Sequence, residues 1–225
     1  MEPLSFVLLL ALGIWAALDG VSVGQFMVSR PLVTATLTGL LLGDPATGLI
    51  LGIFLEVVYL GGIPAGAVRL PEPGPAAIPA TVGAILIGGP GGLAFGAASG
   101  MVLAILGGWT VVRQRRWQGR LVASVTEAGN PPRAVSRALG MALFLDGLRG
   151  ALLVGLGIVL MAAIPEGWIE LWPLPFRDTY GVLFVLAALP AGSLLNGLPL
   201  KGERRWAFLG TGLALGVGVA LWGLL

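Results

Sequence analysis

The stretch "FLEVVYLGGIPAGAVRLPEPGPAAIPA", residues 54–80, places charges and a broken backbone inside an apolar sequence. Its charged side chains are Glu56, Arg69 and Glu72. Proline lacks a backbone N–H and disfavours the helical conformation in the residue before it. The four prolines between positions 64 and 75 therefore predict irregular backbone. Within a membrane, such backbone is tolerated only where it is buried in protein or lines a wet cavity.

The rest of the chain is equally apolar. Of its 225 residues, 56% are hydrophobic and 11% are charged, whereas a soluble domain carries about 25% charged residues. The uncharged runs at 73–112 and 179–200 are long enough to cross a bilayer. We therefore predict an all-α integral membrane protein, a multi-helix bundle with broken or re-entrant helical segments. We treat residues 1–225 as a single membrane-embedded domain.

The composition also limits the chemistry of the chain. It has no histidine and no cysteine, which removes the commonest general base, the thiol nucleophile and thiolate metal sites. No nucleophile–base pair or metal-ligand cluster is evident, so we expect no catalytic residue, cofactor or metal. The net charge of +2 informs membrane topology, and we expect no nucleic-acid partner.

Several apolar segments are predicted, and some are only half the length of a span. They are residues 4–23, 32–42, 46–62, 76–88, 93–112, 139–164, 181–198 and 206–225. The first lacks a basic flank, so we interpret it as a retained helix and not as a signal peptide. Turns are predicted at "GDP", 43–45, and at "GGPGG", 88–92. Half-length segments bounded by glycine and proline are typical of the discontinuous helices of transporters.

The distribution of charge predicts the orientation of the C-terminal half. The basic loops 113–137 and 201–205 are predicted to be cytoplasmic, with anionic-lipid or nucleic-acid binding as the alternative explanation of the first. The loop 165–178 is acidic, and its Trp168 and Trp172 suit the opposite membrane interface. The topology of residues 24–92 stays open.

Glu56 is the strongest candidate for a site residue, because its neighbours are apolar and a buried carboxylate needs a donor. That donor is either a substrate hydroxyl or an arginine, Arg30 or Arg69, and both interpretations remain open. Arg30 is either a site donor or an end-of-helix residue whose charge reaches the interface. If the proline-rich loop is exposed, Arg69 and Glu72 are merely solvated.

Other acidic residues have more ordinary interpretations. Asp44 in "GDP" is expected to be a turn or cap residue. Asp19 and Asp146 adjoin apolar segments, and we expect them to be partly buried. Asp146 and Arg149 have the i, i+3 spacing of an ion pair on one helix.

Residues 29–67 resemble the membrane IIC component of the mannose/fructose/sorbose family of the bacterial phosphotransferase system. The resemblance covers about the first third of the chain. It rests on an ordered set of motifs: Arg30-Pro31-Leu32, the segment Gly39–Gly48, Leu55-Glu56, Gly66-Ala67 and the acidic Glu72.

The resemblance implies a multi-pass protein of the bacterial inner membrane that binds a hexose-type sugar. It also implies a IID-like membrane subunit, a soluble IIB protein that phosphorylates the sugar, and an oligomer of heterodimers. The IIC subunit carries no phosphorylated residue. The residues expected at the sugar site, with the two arginine donors, are Glu56, Gly66, Ala67, Glu72, Arg69, Arg30 and Gln25.

The sequence departs from the family pattern near this site. The stretch "SVGQFMVS", 22–29, lacks acidic residues, Pro64 stands where asparagine is common, and Glu72 replaces aspartate. Each lost charge-assisted hydrogen bond costs about 1.5–3 kcal/mol, so weaker sugar binding is expected. The alternative functions are a self-sufficient secondary transporter or channel, and a diverged non-transporting scaffold subunit.

Overall fold

The computed structural model describes residues 2–60, 70–127, 129, 131–164 and 172–197. All regular secondary structure in these ranges is helical, which confirms the predicted fold class. The helices are α1 (Pro3–Val21), α2 (Pro31–Leu42), α3 (Pro45–Tyr59), α4 (Pro73–Ile87), α5 (Gly89–Glu127), α6 (Pro132–Ala162) and α7 (Phe176–Gly197).

Three of the described helices, α1, α5 and α6, are long and apolar enough to cross a membrane. Large apolar side chains on these helices point outward, among them Trp15, Ile105 and Leu156. A soluble protein would bury such a surface, whereas a membrane protein presents it to lipid or to a neighbouring subunit.

Helices α2 and α3 form a tight antiparallel hairpin. With 12 and 15 residues they extend about 18 and 22 Å, less than the bilayer core of about 30 Å. The predicted turn is confirmed: Gly43 has φ +83°, and the Asp44 carboxylate caps α3 by accepting from the Thr47 N–H at 3.1 Å. A Cβ at Gly48 would lie 2.3 Å from the carbonyl oxygen of Ala35, so glycine permits this close packing.

Helices α4 and α5 form a second antiparallel hairpin. The predicted turn at "GGPGG" is confirmed in position, but it is confined to Gly88 and Gly89, both with positive φ, and is shorter than the predicted range 88–92. Gly92 already packs within α5, where an added Cβ would lie 2.4 Å from the Ala84 carbonyl oxygen. Helical geometry resumes at once because small residues let the two backbones approach.

Helix α4 begins three residues earlier than predicted. Pro73 and Pro75 occupy its first turn, where backbone N–H groups have no partner within the helix and proline is tolerated. The proline-rich stretch is therefore helical from residue 73. Residues 61–69 of the same stretch lie outside the described ranges.

Helix α4 is the centre of the bundle and packs against α1, α2, α3, α5 and α6. Residues 74–84 are all buried, as expected of a helix that is apolar on every side. Pro79, inside this helix, lies against α6 at Gly157, where an added Cβ would approach the proline ring to 2.8 Å.

The basic stretch 113–137 is helical over most of its length, so its prediction as a loop is wrong. Helix α5 continues to Glu127 and α6 begins at Pro132, because residues 113–127 contain no proline and several good helix formers. The predicted segment 93–112 lies within α5, and all but the last two residues of the predicted segment 139–164 lie within α6. Most of 181–198 lies in α7.

Part of the C-terminal prediction lies outside the described residues, namely 198–225 with its basic residues 201–205, and also Trp168. Trp172 is described, and its indole N–H donates to the Thr179 hydroxyl at 2.8 Å. It lines an apolar cavity of about 430 Å³ between α3, α5 and α7.

Candidate functional site

The N-termini of α2 and α4 meet at the open ends of the two hairpins. The Thr34 hydroxyl in the first turn of α2 donates to the Gly74 carbonyl in α4 at 2.8 Å. A Cβ at Gly74 would lie 1.9 Å from the Ser29 carbonyl oxygen, so glycine is required for this contact. Helix N-termini carry partial positive charge, and here two of them face one region.

A cavity of about 400 Å³ opens at this junction. This volume lies within the usual range of small-molecule sites. Its wall is more polar than that of the cavity beside α7. The charged or amide side chains on the wall are Asp19, Gln25, Arg30, Glu56, Glu72 and Arg115.

Glu56 reaches the cavity from the end of α3. Its Oε1 lies 3.1 Å from Nη1 of Arg30, the N-cap residue of α2, and its Oε2 accepts from the Leu32 N–H at 3.4 Å. Of the two predicted arginine partners, Arg30 pairs with Glu56, and Arg69 lies outside the described residues. Because Glu56 also lines the cavity, the ion pair leaves room for a substrate role.

Glu72 lies at the N-cap of α4, yet its side chain caps no backbone N–H of that helix. A capping side chain bonds the second or third residue of a helix, and the third residue here is Pro75, which has no N–H. The carboxylate instead pairs with Arg149 of α6: Nη1 donates to Oε2, and Nη2 donates to Oε1 at 2.7 Å. The alternative that Glu72 is merely solvated is wrong, since only 12% of its side chain is exposed.

Asp146 lies behind this pair and joins three helical segments. Its Oδ2 accepts from the Ser22 hydroxyl at the end of α1, and its Oδ1 accepts from the Gln114 amide of α5 at 2.8 Å. The Nε of Arg149 is 3.9 Å from Oδ1. The predicted pair on one helix is thus present but long, and Arg149 bonds mainly to Glu72.

Asp19 organises the loop between α1 and α2. Its buried carboxylate accepts from the backbone N–H groups of Phe26 and Ser29, the latter at 2.9 Å. Gln25 and Met27 in this loop have φ +57° and +67°, a conformation that non-glycine residues rarely adopt. The loop itself lacks acids, as the sequence showed, but Asp19 supplies one from the preceding helix.

Four predicted site residues come together around this cavity: Glu56, Glu72, Arg30 and Gln25. The other three, Gly66, Ala67 and Arg69, lie outside the described residues. No sequence motif indicated Asp19, Tyr59, Arg115 or Arg149 as residues of the site. A weak signal existed, because Asp19 and Arg149 are charges inside or at the end of apolar segments.

The arrangement suits a neutral polar ligand. The two glutamates are matched by arginines, and Asp19 is held by backbone N–H groups. Carboxylates accept hydrogen bonds and guanidinium groups donate them, so a polyhydroxylated molecule finds both kinds of partner. The described residues contain no group of three or more acidic side chains placed to hold a metal ion.

Comparison with known proteins identifies the family of this chain. A family model described as the "PTS system sorbose-specific iic component" matches residues 4–175. The similarity therefore extends well beyond the first third in which the sequence motifs were recognised.

Several curated proteins are similar over part of the chain. The sorbose-specific EIIC component of Lacticaseibacillus casei is 35% identical over 86 residues, which are 37% of this chain and 30% of that protein. The fructose permease IIC component of Bacillus subtilis is 36% identical over 109 residues, 48% of this chain and 39% of that protein. The mannose-specific EIIC component of Escherichia coli K12 is 35% identical over 104 residues, 46% and 36% of the two chains. The matched parts thus span about a third of these relatives.

Two solved structures share the fold. One, described as a "Structure of membrane protein", has a TM-score of 0.73 at 23% identity. The alignment covers 100% of this chain and 95% of the chain in that structure. The cryo-EM structure of the mannose transporter ManYZ with microcin E492 has a TM-score of 0.62 at 22% identity. That alignment covers 100% of this chain and 94% of the chain in that structure.

Proposed function

This chain belongs to the family of sorbose-specific IIC components of the phosphotransferase system, and we propose that it is the sugar-translocating subunit of such a system. It binds a hexose-type sugar and passes it to a soluble IIB protein, which phosphorylates the sugar as it enters. The chain itself has no histidine, so the phosphoryl group is carried by the partner.

The observation that carries this proposal is the cavity shared by Glu56 and Glu72. Each carboxylate comes from a different helical hairpin, and each lines the same cavity. A sugar that donates one hydroxyl to each carboxylate would bridge the hairpins, so binding would be sensitive to their relative position. Broken helices that meet at a polar cavity are the usual construction of substrate sites in membrane transporters.

The position of Arg115 supports an opening toward the cytoplasm. This residue belongs to the basic stretch 113–137 and also lines the cavity. By the positive-inside rule the stretch lies on the cytoplasmic side of a bacterial inner membrane. A sugar in the cavity is then accessible to a soluble phosphorylating protein.

We further propose a IID-like membrane subunit as the partner, in an oligomer of heterodimers. The outward apolar side chains of α1, α5 and α6 offer surface both for lipid and for another membrane subunit. Gentle solubilisation of the tagged chain, followed by mass spectrometry, tests this. A stoichiometric IID-like protein supports the proposal, and a lone homo-oligomer contradicts it.

The function is tested by sugar uptake in cells that lack their own permeases of this class. Labelled mannose, fructose and sorbose are supplied with and without the soluble phosphate carriers. Uptake that requires the carriers supports the proposal. If uptake does not require the carriers and is abolished by dissipating the ion gradients, the chain is a secondary transporter. The half-length helices that meet at the cavity are also consistent with that function. If the complex is folded but takes up none of these sugars, the chain is a scaffold subunit.

A further inference from the structure

Two ion pairs flank the cavity, and they differ in burial and geometry. The exposed fractions of the side chains are 9% for Arg149 and 12% for Glu72, but 47% for Arg30 and 20% for Glu56. We propose that Arg149 is a positioning residue that fixes Glu72, whereas Arg30 is an exchangeable partner that a sugar hydroxyl displaces from Glu56. This inference rests on the proposed function, because it assigns different roles to the two carboxylates of that site.

The geometry of the Arg149–Glu72 pair favours a fixed position. Both terminal nitrogens of the guanidinium donate, one to each carboxylate oxygen, and such parallel bonds set orientation as well as distance. Asp146 lies on the far side of Arg149 and is itself held from α1 and α5. Displacing Arg149 would leave a largely buried carboxylate unpaired, which is strongly unfavourable.

The backbone around Glu72 reinforces this position. Its N–H donates to the Ala104 carbonyl of α5 at 2.8 Å. A Cβ at Gly107 would lie 3.1 Å from the Glu72 Cβ and 3.2 Å from Oε2, so the side chain fits closely against α5. Glu72 thus presents its cavity-facing surface without rearrangement and serves as a preorganised hydrogen-bond acceptor.

The pair of Arg30 and Glu56 has the opposite character. A single Arg30 nitrogen makes the contact, at 3.1 Å, and the second carboxylate oxygen has one long bond to the Leu32 N–H. Nearly half of the Arg30 side chain is exposed, so the guanidinium has space to move away. A sugar hydroxyl can then replace it on Glu56, while Arg30 remains free to donate to another hydroxyl.

Site-specific carboxyl labelling of the purified membrane complex tests this difference. The complex is treated with a water-soluble carbodiimide and glycine methyl ester, and mass spectrometry quantifies modification of Glu56 and Glu72. We expect Arg149→Met to raise labelling of Glu72 about tenfold, since charge-assisted bonds of this kind are lost, with Glu56 unchanged. The matched variant Arg30→Met should raise labelling of Glu56 by less than about threefold, since exposed pairs contribute little, with Glu72 unchanged.

A conservative variant separates positioning from folding. Arg149→Lys keeps the charge but cannot make the two parallel bonds, so we expect intermediate labelling of Glu72 at a melting temperature much closer to the wild-type value than that of Arg149→Met. The sugar that gives the highest uptake should protect Glu56 from labelling in the wild type. For the same sugar, the KM of uptake by Arg149→Lys should be about tenfold higher than that of the wild type, and the maximal rate should change less.

The inference is overturned if Glu72 labels equally in wild type and Arg149→Lys, or if both glutamates change together in every variant. The labelling pattern does not depend on transport. If none of the sugars is taken up by the wild type while Arg149→Lys still exposes Glu72 selectively, the proposed function fails and the positioning by Arg149 stands.

Discussion

Arg149 on α6 donates to both carboxylate oxygens of Glu72 at the start of α4, across 77 residues of sequence. The contact joins the start of the second hairpin to a helix long enough to cross the membrane. It places a paired carboxylate on the wall of the cavity that the more exposed Glu56 also lines.

We predict that Arg149→Met destabilises the protein by about 3–5 kcal/mol, because it leaves the largely buried Glu72 carboxylate without its partner. The double variant Glu72→Leu with Arg149→Met should recover much of this loss, since the Glu72 charge is then absent and Asp146 keeps its bonds from Ser22 and Gln114. Thermal unfolding in detergent measures both. Equal destabilisation of the single and double variants would contradict this account of the pair.

We predict that Glu56→Gln abolishes most sugar uptake while leaving the melting temperature nearly unchanged. Exposed ion pairs contribute only about 0–1 kcal/mol to stability, and the amide keeps the shape of the side chain. The comparison of uptake and thermal unfolding decides between the two original interpretations of Glu56. Normal uptake with a clearly lowered melting temperature would support a purely structural pair.

We predict that Gly74→Ala disrupts the junction of α2 and α4, because the new Cβ would meet the Ser29 carbonyl oxygen at 1.9 Å. Overpacking of this kind costs about 1–3 kcal/mol or more. Gly119→Ala in α5 is the matched control, because nothing lies within 4 Å of its added Cβ, and alanine favours helix. Similar melting temperatures for the two variants would contradict the close contact.

We predict that Asp19→Ala loosens the loop between α1 and α2. The N–H groups of Phe26 and Ser29 lose their acceptor, and the positive φ of Gln25 is no longer stabilised. Hydrogen exchange should accelerate at residues 24–29, with uptake reduced and the exchange of α4 unchanged. Unchanged exchange in the loop would show that Asp19 does not organise it.

The sequence predicted those features of the fold that depend on local chemistry. Pro31 determines where α2 begins, because its fixed φ suits a first helical position. Gly43 and Asp44 determine where the first hairpin turns, through the positive φ of Gly43 and the cap that Asp44 provides for α3. The importance of Glu56 was equally visible, because a carboxylate among apolar neighbours needs a partner. The pairing of Glu72 with Arg149 could not be predicted, since no local pattern encodes a contact between segments so far apart in the sequence.

The errors in helix boundaries have related causes. Positive charge at residues 113–127 suggested a loop, although the same arginines are good helix formers. The prolines at 73 and 75 suggested irregular backbone, although proline is favourable in a first helical turn. Tertiary context decided at α4, which packs at the centre of the bundle, whereas local helix propensity carries α5 beyond the apolar segment.

The central claim is that the chain passes a sugar to a phosphorylating partner, and product analysis in membrane vesicles tests it most directly. Inside-out vesicles carrying the complex enclose labelled sugar and are supplied from outside with the soluble carriers and labelled phosphoenolpyruvate, with Glu56→Gln vesicles as the control. We predict that the wild type forms sugar phosphate outside the vesicles, with one phosphate for each sugar transported, and that the variant forms little. Transported sugar recovered without phosphate, or sugar phosphate formed equally by the variant, would contradict the account.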